Sequence, residues 1–112
     1  MFYQANSEHF TELVPGVKLK TLVHGEHTLL TEVRFVKGAV VPVHKHPQEQ
    51  TGCLIKGALR FTVDGEIIEA RPGDSWNLAA NVPHGAEALE ESVVIEVFAP
   101  PREDYLALAH HP

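Results

Sequence analysis

The chain is short of several things, and each shortage excludes a class of protein. It has one cysteine, Cys53, so no disulfide can form within it, as expected for a reducing compartment. Basic residues are in the minority, nine against fifteen acidic ones, for a net charge of -6. A nucleic-acid surface needs a basic patch, so no nucleic-acid partner is expected. No apolar run approaches the roughly 20 residues of a membrane span. The opening "MFYQANSEHF" has neither the basic start nor the apolar stretch of a signal peptide. A cytoplasmic protein with no membrane partner is the expectation. Helical pattern is scarce too, and appears only in "PPREDYLALAHH" near the C-terminus. There, prolines can open a short helix over about 101–109, with Glu103 and Asp104 at its positive end.

What the chain does have is strand. Its 112 residues, 44% apolar, suffice for one domain with a real core. Pro15-Gly16, Gly25, Gly38, Gly52, Gly57, Pro72-Gly73 and Pro83 cut it into short pieces. "HTLLTEVRFV", "GCLIKG", "ALRFTVDGEIIEA" and "SVVIEVFA" carry the β-branched and aromatic residues that suit a pleated surface. Asp64-Gly65, between "LRFTV" and "EIIEA", is a two-residue hairpin signal. Many short strands at regular spacing predict an all-β, antiparallel barrel or sandwich, with the barrel over about 15–99.

Chemistry concentrates in "HKHPQEQ", residues 44–50. Strand side chains alternate, so His44 and His46 face one way, as two imidazoles on one ion must. Gln50 has the same parity and Glu49 the opposite one, which favours Gln50 as a further ligand. An H-x-H pair alone is a weak signal, because an exposed strand face can carry two histidines. The spacing around it is more specific. Gly38, His44, His46, Gln50 and Gly57 stand at the intervals of the first motif of the cupin superfamily. Gly73, Ala79, Asn81, His84 and Ala88 fit the second. The sequence therefore resembles the cupins over about residues 30–99. The resemblance implies a single-domain, double-sheet antiparallel β-barrel. It also implies one divalent metal (Ni, Fe, Zn or Mn) held by His44, His46, Gln50 and His84. Ligand types alone do not choose among these ions. Gln50 replaces the usual glutamate. Ala79, Asn81 and Ala88 replace the usual proline, glycine and asparagine, and asparagine tolerates a left-handed backbone.

The segment "VIEVFAPPREDYL", residues 94–106, resembles more closely the cupins of pectin and alginate degradation. These open 4,5-unsaturated uronate monosaccharides to linear keto acids, and they too use glutamine as fourth ligand. Their functional acid, aromatic and arginine correspond by spacing to Glu96, Phe98 and Arg102, with glutamate here in place of aspartate. The residues can also be read alone. Glu96 interrupts an apolar strand, so it must be paired, metal-linked or functional. The blander roles are an ion pair of Glu96 with Arg34 or Arg60, Phe98 as core and Arg102 as a surface charge. Trp76 could line a sugar or fill the barrel. His9, His24, His27, His110 and His111 have no motif context, and the last two are expected to fray.

Four neutral ligands would leave the ion its full charge and favour a small anionic sugar substrate. The resemblance implies metal-assisted ring opening, with Glu96 moving protons and Arg102 gripping a carboxylate or hydroxyl. A cupin dioxygenase, a sugar epimerase and a non-catalytic binding cupin are the alternatives. Small cupins commonly dimerise, so a homodimer is expected by family analogy.

Overall fold

The computed structural model describes residues 1–110. Its strands are β1 (Thr11–Val14), β2 (Val17–His24), β3 (Leu29–Phe35), β4 (Val40–His44), β5 (Glu49–Lys56), β6 (Leu59–Val63), β7 (Glu66–Ala70), β8 (Ser75–Leu78), β9 (His84–Ala88) and β10 (Ser92–Ala99). All pairings are antiparallel. One sheet has the order β1-β2-β3-β10-β5-β8 and the other β4-β9-β6-β7. This is the expected double-sheet barrel.

Strand alternation builds the interior. In β10, Ser92, Val94, Glu96 and Phe98 are buried, while Val93, Ile95 and Val97 between them are only half-buried. Val17, Leu19, Leu29, Val33, Phe35, Leu54, Leu59 and Phe61 meet them in one core. The Asp64-Gly65 signal is realised: Val63 pairs with Glu66, leaving a two-residue loop. Both loop residues have positive φ, 48° and 83°, as a type I′ turn requires.

Two sequence boundaries shift. Gly52 does not end a segment but lies inside β5, which runs unbroken over eight residues. The helix, expected over about 101–109, covers only Glu103–Leu106. Arg102 is still extended, with ψ 129°, because the chain leaves the double proline in that conformation. Beyond Leu106 the chain closes with tighter turns, Leu108 N–H to Tyr105 O and Ala109 N–H to Leu106 O. His110 stacks on His9, with ring centroids 3.6 Å apart, and His111 lies outside the described residues.

The N-terminal segment folds back onto its own sheet. Lys20 alternates with the core-facing Leu19 and Thr21, yet is only 2% exposed. Its Nζ donates to the backbone and side-chain oxygens of Asn6, at 2.9 and 2.7 Å. The Tyr3 and Phe10 rings lie 5.0 and 5.7 Å from the ammonium.

Candidate metal centre

Three histidines reach one point from two strands and a loop. His44 ends β4, His84 opens β9, and the two are register partners. His46 lies in the connection to β5, so residues 44–50 are two strand ends joined by a turn rather than one strand. The grouping of His44 with His46 therefore comes from the turn. Parity does hold within β5, where Gln50 is buried and Glu49 is exposed. Glu49 accepts a 2.8 Å hydrogen bond from Asn77 and faces away from the histidines. On the far side of the cluster, Asn81 takes a left-handed φ of 64° and its N–H donates to His46 O at 2.8 Å. That turn sets the approach to His84.

The nitrogens of His44, His46 and His84 that could bind an ion lie within 4.8 Å of one another. Each ring has Nδ1 against a backbone carbonyl: Pro42 O at 2.8 Å, Gln48 O at 3.0 Å and Val82 O at 2.9 Å. A carbonyl only accepts, so Nδ1 carries the proton and Nε2 keeps its lone pair. Metal-binding histidines are oriented by this same kind of contact. Burial pushes the His46 and His84 pKa values down, which keeps both rings in the neutral, ligating form.

Two further observations fit a cation. His84 Nε2 is buried with no hydrogen-bond partner. Gln50 Oε1 stands 3.0 Å from His46 Nε2, one acceptor against another once Nδ1 holds the proton. Two adjacent ligands about 2.1 Å from one ion are themselves about 3.0–3.4 Å apart. The donor set of three imidazoles and an amide oxygen therefore fits a divalent transition metal.

Glu96 sits behind Gln50. Its Oε2 accepts from Gln50 Nε2 and, at 3.0 Å, from Trp76 Nε1. Nothing among the described residues donates to Oε1. Burial raises the Glu96 pKa, opposed by these two hydrogen bonds and by the positive Arg102. No ion pair with Arg34 or Arg60 exists, because Arg34 pairs with Glu32 and Arg60 with Glu87. Trp76 is half-buried against Phe61, ring centroids 4.6 Å apart, and borders the same cavity as Glu96. It is thus at once packing, wall and hydrogen-bond donor.

Phe98 is buried between His46 and Tyr105, with centroids at 5.8 and 5.2 Å. Arg102 lies 3.9 Å over the Tyr105 ring and 5.3 Å from that of Phe98. Its Nε and Nη2 both donate to Asp104, at 3.1 and 2.8 Å. One edge of the guanidinium is thereby occupied, so a two-pronged grip on a substrate through that edge would have to displace Asp104. Together these groups line a cavity of about 70 Å³.

Two contributors escaped the sequence reading. Tyr105 supports Arg102 from three residues on, a spacing legible once the helix was expected. Gly52 lies between Glu96 and Trp76 in register, and a Cβ there would come within 2.7 Å of both side chains.

The family profile described as Cupin domain matches residues 31–98. The chain is 34% identical over 97 residues to the pectin degradation protein KdgF of Dickeya dadantii (strain 3937), covering 85% of this chain and 88% of that protein. The structure of KdgF from Halomonas sp. superposes with a TM-score of 0.87 at 32% identity, over 93% of this chain and 96% of that one. An RmlC-like cupin from Shewanella frigidimarina NCIMB 400 superposes at 0.81 with 30% identity, over 86% of each chain.

Proposed function

The chain belongs to the cupin family, and from that membership we propose that it is a metal-dependent enzyme of pectin or alginate breakdown that opens 4,5-unsaturated uronate monosaccharides to linear keto acids. The observation that carries this reading is the buried Glu96 carboxylate beside a three-imidazole cluster, with Arg102 over the same cavity. Orienting Gln50 occupies only Oε2 of that carboxylate; Oε1, which receives no donor among the described residues, borders the cavity and suits proton transfer. Similarity to the pectin degradation protein KdgF supports the substrate class.

His44, His46, His84 and Gln50 would hold the ion. It would supply Lewis acidity undiminished by any charged ligand. The cavity, about 70 Å³, is below the roughly 300–1,000 Å³ of small-molecule pockets. A sugar would therefore lie across the mouth beside the exposed His44, with its reacting end inward. In the ring opening, the anomeric hydroxyl gives up a proton, the ring C–O bond breaks to leave an enol oxygen, and the double-bond carbon gains a proton. The overall change is an isomerisation. Glu96 Oε1, free of hydrogen bonds, would take the first proton and return one to carbon, and the raised Glu96 pKa suits both duties. Arg102 would meet the substrate carboxylate with the edge that Asp104 leaves free. Phe98 and Tyr105 hold that guanidinium in place.

The test is to load the protein with metal, add the unsaturated monosaccharides released by pectate or alginate lyases, and follow the absorbance of the 4,5 double bond. Metal-dependent loss is expected. Unchanged absorbance with a fully loaded protein would reject the substrate.

A further inference from the structure

We propose that Trp76 is a positioning residue for the metal ligand Gln50, acting through Glu96. The inference rests on the metal-site part of the reading above and is independent of the sugar.

A glutamine amide has two ends of similar shape, and only the oxygen can bind a cation. Without an ion, the flipped amide would be locally attractive, because its NH₂ group would then donate to the lone pair of His46 Nε2. The structure has the opposite orientation, with Oε1 toward His46 and Nε2 toward Glu96. Oε2 also accepts from the Trp76 indole, so the oxygen that meets Gln50 is an acceptor. Flipping Gln50 would set its oxygen against Glu96 Oε2, acceptor to acceptor in a buried site. Glu96 thus holds the amide in the metal-competent orientation.

Glu96 can do this only if its own carboxylate is fixed. Trp76 Nε1 donates to the same oxygen, 3.0 Å away. The three residues stand on adjacent strands, Trp76 on β8, Gln50 on β5 and Glu96 on β10. Trp76 and Glu96 are both cross-strand partners of Gly52, so their side chains meet over a position that has none. A Cβ at residue 52 would fall 2.7 Å from Trp76 Nε1 and from Glu96 Cγ, closing the passage. The chain of contacts therefore runs from indole to carboxylate to amide and ends at the imidazole cluster.

Removing the indole N–H should weaken metal binding through Gln50 alone. Zn²⁺ affinity, measured by chelator competition, is compared for wild type, Trp76→Phe, Gln50→Ala and the double variant. The protein has one tryptophan, so incorporating β-(3-benzothienyl)alanine at that position also removes the N–H while keeping the bicyclic shape. That replacement serves if Trp76→Phe does not fold. We expect about tenfold weaker binding on loss of the N–H, the lower end of the range for groups that orient a ligand. In the Gln50→Ala background the further loss should be under twofold, because the residue through which Trp76 acts is gone. Unchanged affinity in the otherwise wild-type protein would overturn the proposal. So would an equal loss in both backgrounds, which would mark Trp76 as packing only. Failure of uronate turnover with affinities as expected would reject the substrate assignment and leave this inference standing.

Discussion

His44 and His84 are cross-strand partners, facing each other at one register position of β4 and β9 with ring centroids 4.5 Å apart. His46 joins them from the following loop, 4.9 Å from His84. Replacing any one with alanine should abolish stoichiometric metal after dialysis, measured as metal per chain. His24→Ala, on β2, three strands across the sheet from β5 and outside the cluster, should retain it.

Gln50 and Glu49 should behave oppositely. Gln50→Ala removes the proposed fourth ligand, and metal affinity should drop by one to two orders of magnitude, the scale on which supporting groups already act. Glu49→Ala breaks only the hydrogen bond from Asn77 and should leave affinity within twofold. The reverse pattern in a chelator competition would remove Gln50 from the site.

This part of the candidate metal site is legible in the sequence because His44, His46 and Gln50 lie within seven residues. Parity accounts for only part of their grouping: β4 ends at His44, and strict alternation begins again at Glu49. Glu96 stood out as a carboxylate in an apolar strand, and its burial follows from the alternation of β10. Its partners were not legible. Contacts between Trp76, Gln50 and Glu96 depend on strand order, which periodicity does not encode. A glycine allowing close approach looks, in one dimension, like a glycine ending a strand, so Gly52 inside β5 reads as punctuation.

Glu96→Gln should separate the two duties proposed for this residue. The amide oxygen can accept from both Gln50 and Trp76, so fold and metal content should survive. An amide cannot carry the proton, so turnover of the unsaturated uronate should drop by about 10²–10⁴-fold. Full turnover in a metal-loaded variant would exclude Glu96 from proton transfer.

Gly52→Ala should be costly despite its small size. The new methyl would contact Glu96 and Trp76 well inside van der Waals distance. A loss of about 1–3 kcal/mol is expected in urea unfolding, the usual penalty of overpacking. A variant as stable as wild type would show that the two side chains move apart freely.

Tyr105 predicts an alkaline limb of stability. Burial raises its pKa from 10.0 to about 12. Below pH 10 the phenol is neutral in both folded and unfolded chains, and its contribution is fully present. Between about pH 10 and 12 the unfolded chain loses the proton first, so stability declines as pH rises. Tyr105→Phe keeps the ring under Arg102 and should flatten this part of the melting-temperature profile. Identical profiles over that window would contradict the shift.

The sheltered position of Lys20 gives the protein a built-in chemical reporter. Lys18, Lys37, Lys45 and Lys56 are exposed and open to an amine-reactive label, whereas Lys20 is enclosed by Asn6, Tyr3 and Phe10. Its acylation must wait until the first ten residues lift from the sheet. The lag between labelling of Lys18 and of Lys20, two positions apart on one strand, therefore times the opening of that segment, and mass spectrometry can read it peptide by peptide.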